Sequence, residues 1–375
     1  MSDRFVSFLL VSRWASAIVA LTYHARFLLF VDYGSVSAKT GLSKAFYFFT
    51  GFGNESFAVF MILDGIASGI ILRRCRSRAG LDRAAVFRHL VALYKIVLPG
   101  LIIGACFDFT GFEFFNHSGL YTGFPEFSRL TLSYSSLLGN LLMLQPFVVP
   151  TFGSNGMLFL LSYLFWCFVL LVLFVRAARL GRPRGLYVQI LLLAVVVLVM
   201  PYQFLIWGAT WLAGVAVVFL GEAALAKPPV LVASAVFAGA IVLSRLMGAN
   251  THLFPQPYGF WIIECKYLLV GISFAALAWA LYPDKPWLRE GDAGQAASFA
   301  FFCHFPVIML LVAIGSALLH RPIMQQPTPA GYGELALLVG ACLGITVVIA
   351  RTAATAMNAI MVKRKLGAWD VGERT

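Results

Sequence analysis

The sequence predicts an all-α polytopic membrane protein: about ten transmembrane helices, with a re-entrant or interfacial segment before the fourth span. Three observations lead there. Of the 375 residues, 61% are apolar and only 12% charged, against about 45–50% and about 25% in ordinary soluble domains. The mean hydropathy is +0.87. Apolar runs of about 20 residues, the length that crosses a bilayer as a helix, recur along the chain. So few charges cannot cover so much apolar surface, which excludes a water-soluble enzyme. A 15% aromatic content excludes disorder.

The runs lie at roughly 8–30, 56–72, 90–107, 156–175, 186–201, 204–221, 229–248, 259–281, 297–319 and 333–352. A further apolar stretch, Leu132–Val149, is closely bounded by Pro146 and Pro150. Basic residues decide its status, because Lys and Arg collect in cytoplasmic loops. One basic loop holds Arg73, Arg74, Arg76, Arg78, Arg83 and Arg88, and a second holds Arg176, Arg179, Arg182 and Arg184. The tail carries Lys363, Arg364 and Lys365. If all three are cytoplasmic, the third and fourth spans carry the chain out and back, and Leu132–Val149 is no crossing. Ten crossings with both termini in the cytoplasm follow.

The same bias accounts for the net charge of +12 without invoking nucleic acid. The N-terminal stretch, with Arg4 and Arg13 but no small-residue cleavage pattern, reads as a first membrane helix rather than a removable signal peptide. Spans and short connections use up residues 1–375, so a single integral-membrane domain without an appended soluble one is expected. No CxxC spacing occurs among the six cysteines, which indicates neither a disulfide framework nor a zinc site.

Charges within a span cost several kcal/mol by insertion scales, so each is a functional candidate. Arg13 and His24 are eleven positions apart in the first span. That is close to three helical turns, placing both on one face about 16 Å apart along the axis. A basic group at the inner mouth can hold an anionic carrier, and a deeper imidazole can transfer a proton. An interfacial arginine anchor plus a packed histidine is an equally open reading.

Asp64 falls near the middle of the second span, where its carboxylate must be protonated, paired or facing water. Glu55 stands just before that span and would approach His24 in an antiparallel hairpin, where it would orient the imidazole. A helix-start acid favoured by the dipole is the other reading. Arg88 and Lys95, seven residues apart, share nearly one face and offer a phosphate-binding edge. Glu264 and Lys266, two apart, do not face each other, while snorkelling accounts for Arg245 and Glu222.

Four stretches carry a family resemblance. Arg13, ten residues, then His24 resembles the first-span signature of the membrane acyltransferase family 3, the integral-membrane O-acyltransferases of bacterial surface glycans. SFAVFMILDGIASGIIL is similar to that family's second span, with Asp64 where a serine is usual. NGMLFLLSYLFW resembles a later stretch that normally carries a glutamate, here aligned with Leu164. SFAFFCHFPVIMLL is similar to the late span with a His-x-Pro, placing His304 and Pro306 in register.

The resemblance implies transfer of an acyl group, commonly acetyl, from cytoplasmic acyl-CoA to a hydroxyl of an outward-facing glycan or lipid-linked sugar. The protein would then sit in a bacterial inner membrane. It would use acyl-CoA as donor and no metal. On this reading His24 is the general base, oriented by Glu55, and Arg13, Arg88 and Lys95 hold the donor phosphates. Asp64 and His304 line the substrate cavity, His304 with a packed histidine as its other reading. Two alternatives stand beside it: a proton-coupled transporter of a sugar or small anion, and a non-catalytic member of a polysaccharide assembly complex.

Overall fold

In the computed structural model the described residues are 2–76, 83–123, 131–181, 183–223, 225–249, 255–283 and 292–372. Thirteen α-helices follow one another: α1 (Ser2–Leu29), α2 (Gly41–Phe49), α3 (Gly53–Arg76), α4 (Arg83–Phe115), α5 (Leu120–Gly123), α6 (Tyr134–Leu141), α7 (Leu158–Ala177), α8 (Arg184–Val199), α9 (Tyr202–Leu220), α10 (Val230–Ala249), α11 (Tyr258–Ala280), α12 (Asp292–Leu319) and α13 (Pro329–Gly372). Among the described residues no β-strand is formed. Nine helical segments among the described residues are long and apolar enough to cross a membrane. The chain is a multi-pass helical membrane protein.

The tenth expected span is α8, only 16 residues long. Its neighbours settle its role. Tyr163 packs on Phe204, and Cys167 packs on Gly208 in the same order, so α7 and α9 run parallel. The helix joining them must therefore return across the bundle. The opposite holds for α6. His89 packs on Phe168 and Gly100 meets Leu158 in reversed order, so α4 and α7 are antiparallel and no crossing fits between them. Ten traverses result, and the Leu132–Val149 segment is not one of them.

That segment is a short helix and a set of turns stitched by side chains. Asn140 Nδ2 donates to the carbonyls of Ser136 and Pro150, and its Oδ1 accepts from Phe152 N–H. Asp108 on α4 accepts from both Ser154 N–H (2.7 Å) and Ser154 Oγ (2.5 Å). Gly153 beside it has φ +70°, and a Cβ there would run into the Asp108 carboxylate, so only glycine fits on both counts. The expected third span is longer than its apolar core, because α4 continues to Phe115 before a 3₁₀ turn at Asn116–Ser118. Arg78 and Arg182 of the basic loops lie outside the described residues.

Helices α3 and α12 are the enclosed pair, while α8, α10 and α13 turn residues such as Leu198, Leu231 and Leu337 outward. Glycines set the closest crossing. A Cβ on Gly65 of α3 would strike the Trp211 carbonyl of α9, and one on Gly214 would strike the Ile62 carbonyl. Small residues four apart, here Gly65 and Gly69, let backbones touch where hydrophobic burial gives no advantage over lipid.

Two outcomes are expected. Gly65→Val lowers the thermal unfolding midpoint in detergent, a cost of about 1–3 kcal/mol from overpacking. Gly239→Val on α10, where a Cβ meets nothing within 4 Å, leaves the midpoint unchanged. In a chain freed of its native cysteines, Arg179→Cys and Met200→Cys label with an impermeant maleimide from opposite membrane faces. Labelling from one face would remove α8 as a crossing.

Candidate functional site

Among the described residues, two polar centres gather the residues singled out by the sequence. The first is a histidine pair. Arg13 stands beside Gly294, and ten residues further along α12 His304 meets His24, eleven residues past Arg13 on α1. The two helices thus run parallel and in register. His24 Nδ1 and His304 Nε2 are 2.9 Å apart, buried at 7% and 0% exposure.

The bond pattern assigns the protons. His304 Nδ1 lies 2.8 Å from the Ala300 carbonyl. A carbonyl only accepts, so Nδ1 carries the proton and Nε2 of the neutral ring is an acceptor. The His24 Nδ1 that faces it is then the donor, and the lone pair of His24 falls on Nε2. An edge contact from Phe305 and another from Tyr23 hold the His24 ring. His304 is thus the side chain bonded to His24 Nδ1. Glu55 is buried one layer away, where its Oε1 accepts from Ser244 Oγ of α10 at 2.8 Å.

The second centre is a cavity of about 410 Å³ nearer the α1 N-terminus, lined by Arg13, Asp64, Arg88, Lys95, Leu164 and Ser298 among others. Arg88 and Lys95 both line this one space, together with Arg13. Asp64 contributes the carboxylate of that space. Trp211 Nε1 donates to its Oδ2 at 2.8 Å. Leu164 of α7 faces the same space. A second recess of about 420 Å³ adjoins at Phe87 and is lined by Arg83, Arg176 and Arg179.

The expected corridor along α1 is interrupted. The cavity wall includes Phe60 and Phe302 but not His24 or His304. Phe60 stacks on Phe301 at 4.4 Å and meets Phe302 edge-on at 5.0 Å, while Phe57 stacks on Phe301 from the other side. Arg13 lies over the Phe60 ring at 5.9 Å. An aromatic partition therefore separates the cationic cavity from the histidines. It is thin: Phe302 precedes His304 by two residues, about 3 Å along α12. The Arg13–His24 geometry is as spaced, and the passage between them is closed.

Several partners escaped sequence reasoning. Trp211 and Ser244 are ordinary span residues until folding brings them to Asp64 and Glu55. Lys266, left without a partner by its spacing from Glu264, lies over the Tyr267 ring at 4.8 Å. Glu222 pairs with Arg73, a contact between helix ends. Arg26 carried a signal of its own, a second guanidinium two residues after His24 at the wrong end of a span for the basic-loop rule. Among the described residues no group of three or more His, Cys, Asp or Glu is placed to hold a metal ion.

The chain matches no protein-family model, no curated protein and no solved structure.

The Asp64 contact yields a stability prediction. Trp211→Phe removes the donor to a buried carboxylate together with part of a fully buried ring. A loss of about 1.5–3 kcal/mol is expected from denaturation in detergent. A change under 0.5 kcal/mol would show that the bond contributes nothing to holding α3 on α9.

Proposed function

We propose that this protein is a membrane O-acyltransferase that moves an acyl group, acetyl in the simplest case, from acyl-CoA to a hydroxyl of a glycan or glycolipid. One observation carries the reading: the His24–His304 bond, which leaves the basic nitrogen of His24 oriented by a neutral partner. A general base needs that arrangement, and a merely packed histidine does not. The first- and ninth-span motifs that suggest the family are the ones whose histidines meet.

The chemistry is short. The acceptor hydroxyl gives its proton to His24 Nε2 as its oxygen attacks the thioester carbonyl carbon. The C–O bond of the ester forms, the C–S bond breaks, and the leaving thiolate takes the proton back from the imidazolium. His304 accepts the Nδ1–H bond throughout and stabilises the transient positive charge by orientation alone.

The donor enters from the end that carries the arginine-rich loops, which the basic-loop rule places in the cytoplasm of a bacterial inner membrane. Its phosphates rest on Arg13, Arg88 and Lys95, with the Arg83, Arg176 and Arg179 recess for the nucleotide end, through charge-assisted bonds. Asp64 supplies the cavity's carboxylate. An extended pantetheine arm is of the order of the roughly 16 Å between Arg13 and His24. To deliver the thioester, the arm must displace the Phe302 side chain from the partition.

Purified protein in proteoliposomes with radiolabelled acetyl-CoA and a glycan acceptor tests this. Donor-dependent label on the glycan is expected. Label carried across the bilayer without ester formation would establish a transporter, and no label would leave an accessory role. His24→Ala is expected to lower transfer by at least about 100-fold, the scale of general-base catalysis. His304→Gln, whose amide oxygen can accept the Nδ1–H bond, should keep more activity than His304→Leu. The His24→Ala/His304→Leu double variant should be no worse than His24→Ala alone, as for residues acting as a unit. Arg13→Lys should raise KM for the donor more than for the acceptor, because point charge is kept and the planar fork is lost.

A further inference from the structure

At the opposite end of the bundle from the Arg13 cavity lies a second basic cluster that the acyl-transfer reading does not use. Arg26, thirteen residues beyond Arg13 on α1, is only 6% exposed, and its Nε has no hydrogen-bond partner among the described residues. Its guanidinium lies between two rings, 5.3 Å from the Tyr23 centroid and 5.2 Å from that of Tyr47. Arg245, near the end of α10, reaches the same Tyr47, donating from Nη2 to its backbone carbonyl at 3.1 Å. Two guanidiniums thus meet one tyrosine.

The surrounding backbone is cut away for these groups. A Cβ on Gly51 would overlap the Arg245 guanidinium, and one on Gly248 would overlap the Lys266 ammonium. Carboxylates do not explain the arginines. Glu55 lies in the field of Lys266 and is bonded by Ser244. Glu264 is partly exposed and also faces Lys266, while Asp32 is exposed at the rim near Arg26. Burying a guanidinium nitrogen without an acceptor is costly, and a planar fork is the group that matches phosphate oxygens.

We propose that Arg26 and Arg245, with Lys266 beside them, form a phosphate-binding site within the far half of the membrane. The ligand class is a phosphate ester, and its source is a lipid-linked phosphate, a phospholipid headgroup or soluble phosphate. The site stands without the acyl-transfer reading. If both hold, a phosphate here would anchor an acceptor about 3 Å along α1 from His24.

The test uses the full chain in neutral phosphatidylcholine nanodiscs and reads binding rather than transfer. Farnesyl phosphate, farnesol, inorganic phosphate and, separately, phosphatidylglycerol-containing discs serve as probes, with the unfolding midpoint and the affinity measured. Farnesyl phosphate is expected to stabilise the protein and farnesol not to. Arg26→Gln and Arg245→Gln should each weaken that binding at least tenfold, whereas Lys44→Gln, at an exposed position, leaves it unchanged. Equal stabilisation by phosphatidylglycerol would assign the site to a headgroup, and by inorganic phosphate to a soluble ester. Arg245 is half-buried, so its variant keeps the test open if Arg26→Gln does not fold. No stabilisation by any phosphate, or wild-type affinity in the folded arginine variants, would overturn the proposal.

Discussion

The register of α1 against α12 is the constraint from which the rest of the interior follows. Two parallel helices bring Arg13 to Gly294 at one level and His24 to His304 about three turns away. A bilayer offers a buried polar group no water, so each must find its partner on another helix. The interior is organised by such pairs: Asp64 with Trp211, Glu55 with Ser244, Asp108 with Ser154. Apolar contact alone could slide by a turn at little cost against lipid. A histidine bonded to a histidine cannot, because slippage would strand both.

Hydropathy and basic loops made much of the fold legible. The expected runs match observed helices to within two residues of their apolar parts, and Leu132–Val149 is a non-crossing segment, as the arginine count required. What stayed hidden was length beyond the apolar core. α13 runs from Pro329 to Gly372 and α4 to Phe115 because helices continue past the hydrocarbon without any hydropathy signal. Helical spacing placed Arg13 and His24 on one face and Arg88 with Lys95, since both are local facts of a 3.6-residue repeat. Spacing says nothing of which helix lies alongside. The pairing of His24 with His304, 280 positions away, and of Trp211 with Asp64, 147 positions away, therefore left no trace in the sequence.

The aromatic partition bears on both centres. Phe57, Phe60, Phe301 and Phe302 fill the level between the cationic cavity and the imidazoles with stacked and edge-on rings. Guanidinium and imidazolium would repel across so short a gap of low dielectric. The rings are the part of the wall that can move, since a phenylalanine rotamer changes without breaking a hydrogen bond, whereas every polar pair around it would lose one.

The short α8 has a consequence outside the protein. Sixteen helical residues span about 24 Å, less than the roughly 30 Å of an average hydrocarbon layer. On that flank the lipid must pinch inward, or Arg184 and its neighbours must stretch toward the headgroups. The molecule therefore carries a built-in preference for thin bilayers on one side. Its lateral placement would respond to acyl-chain length before any substrate arrived.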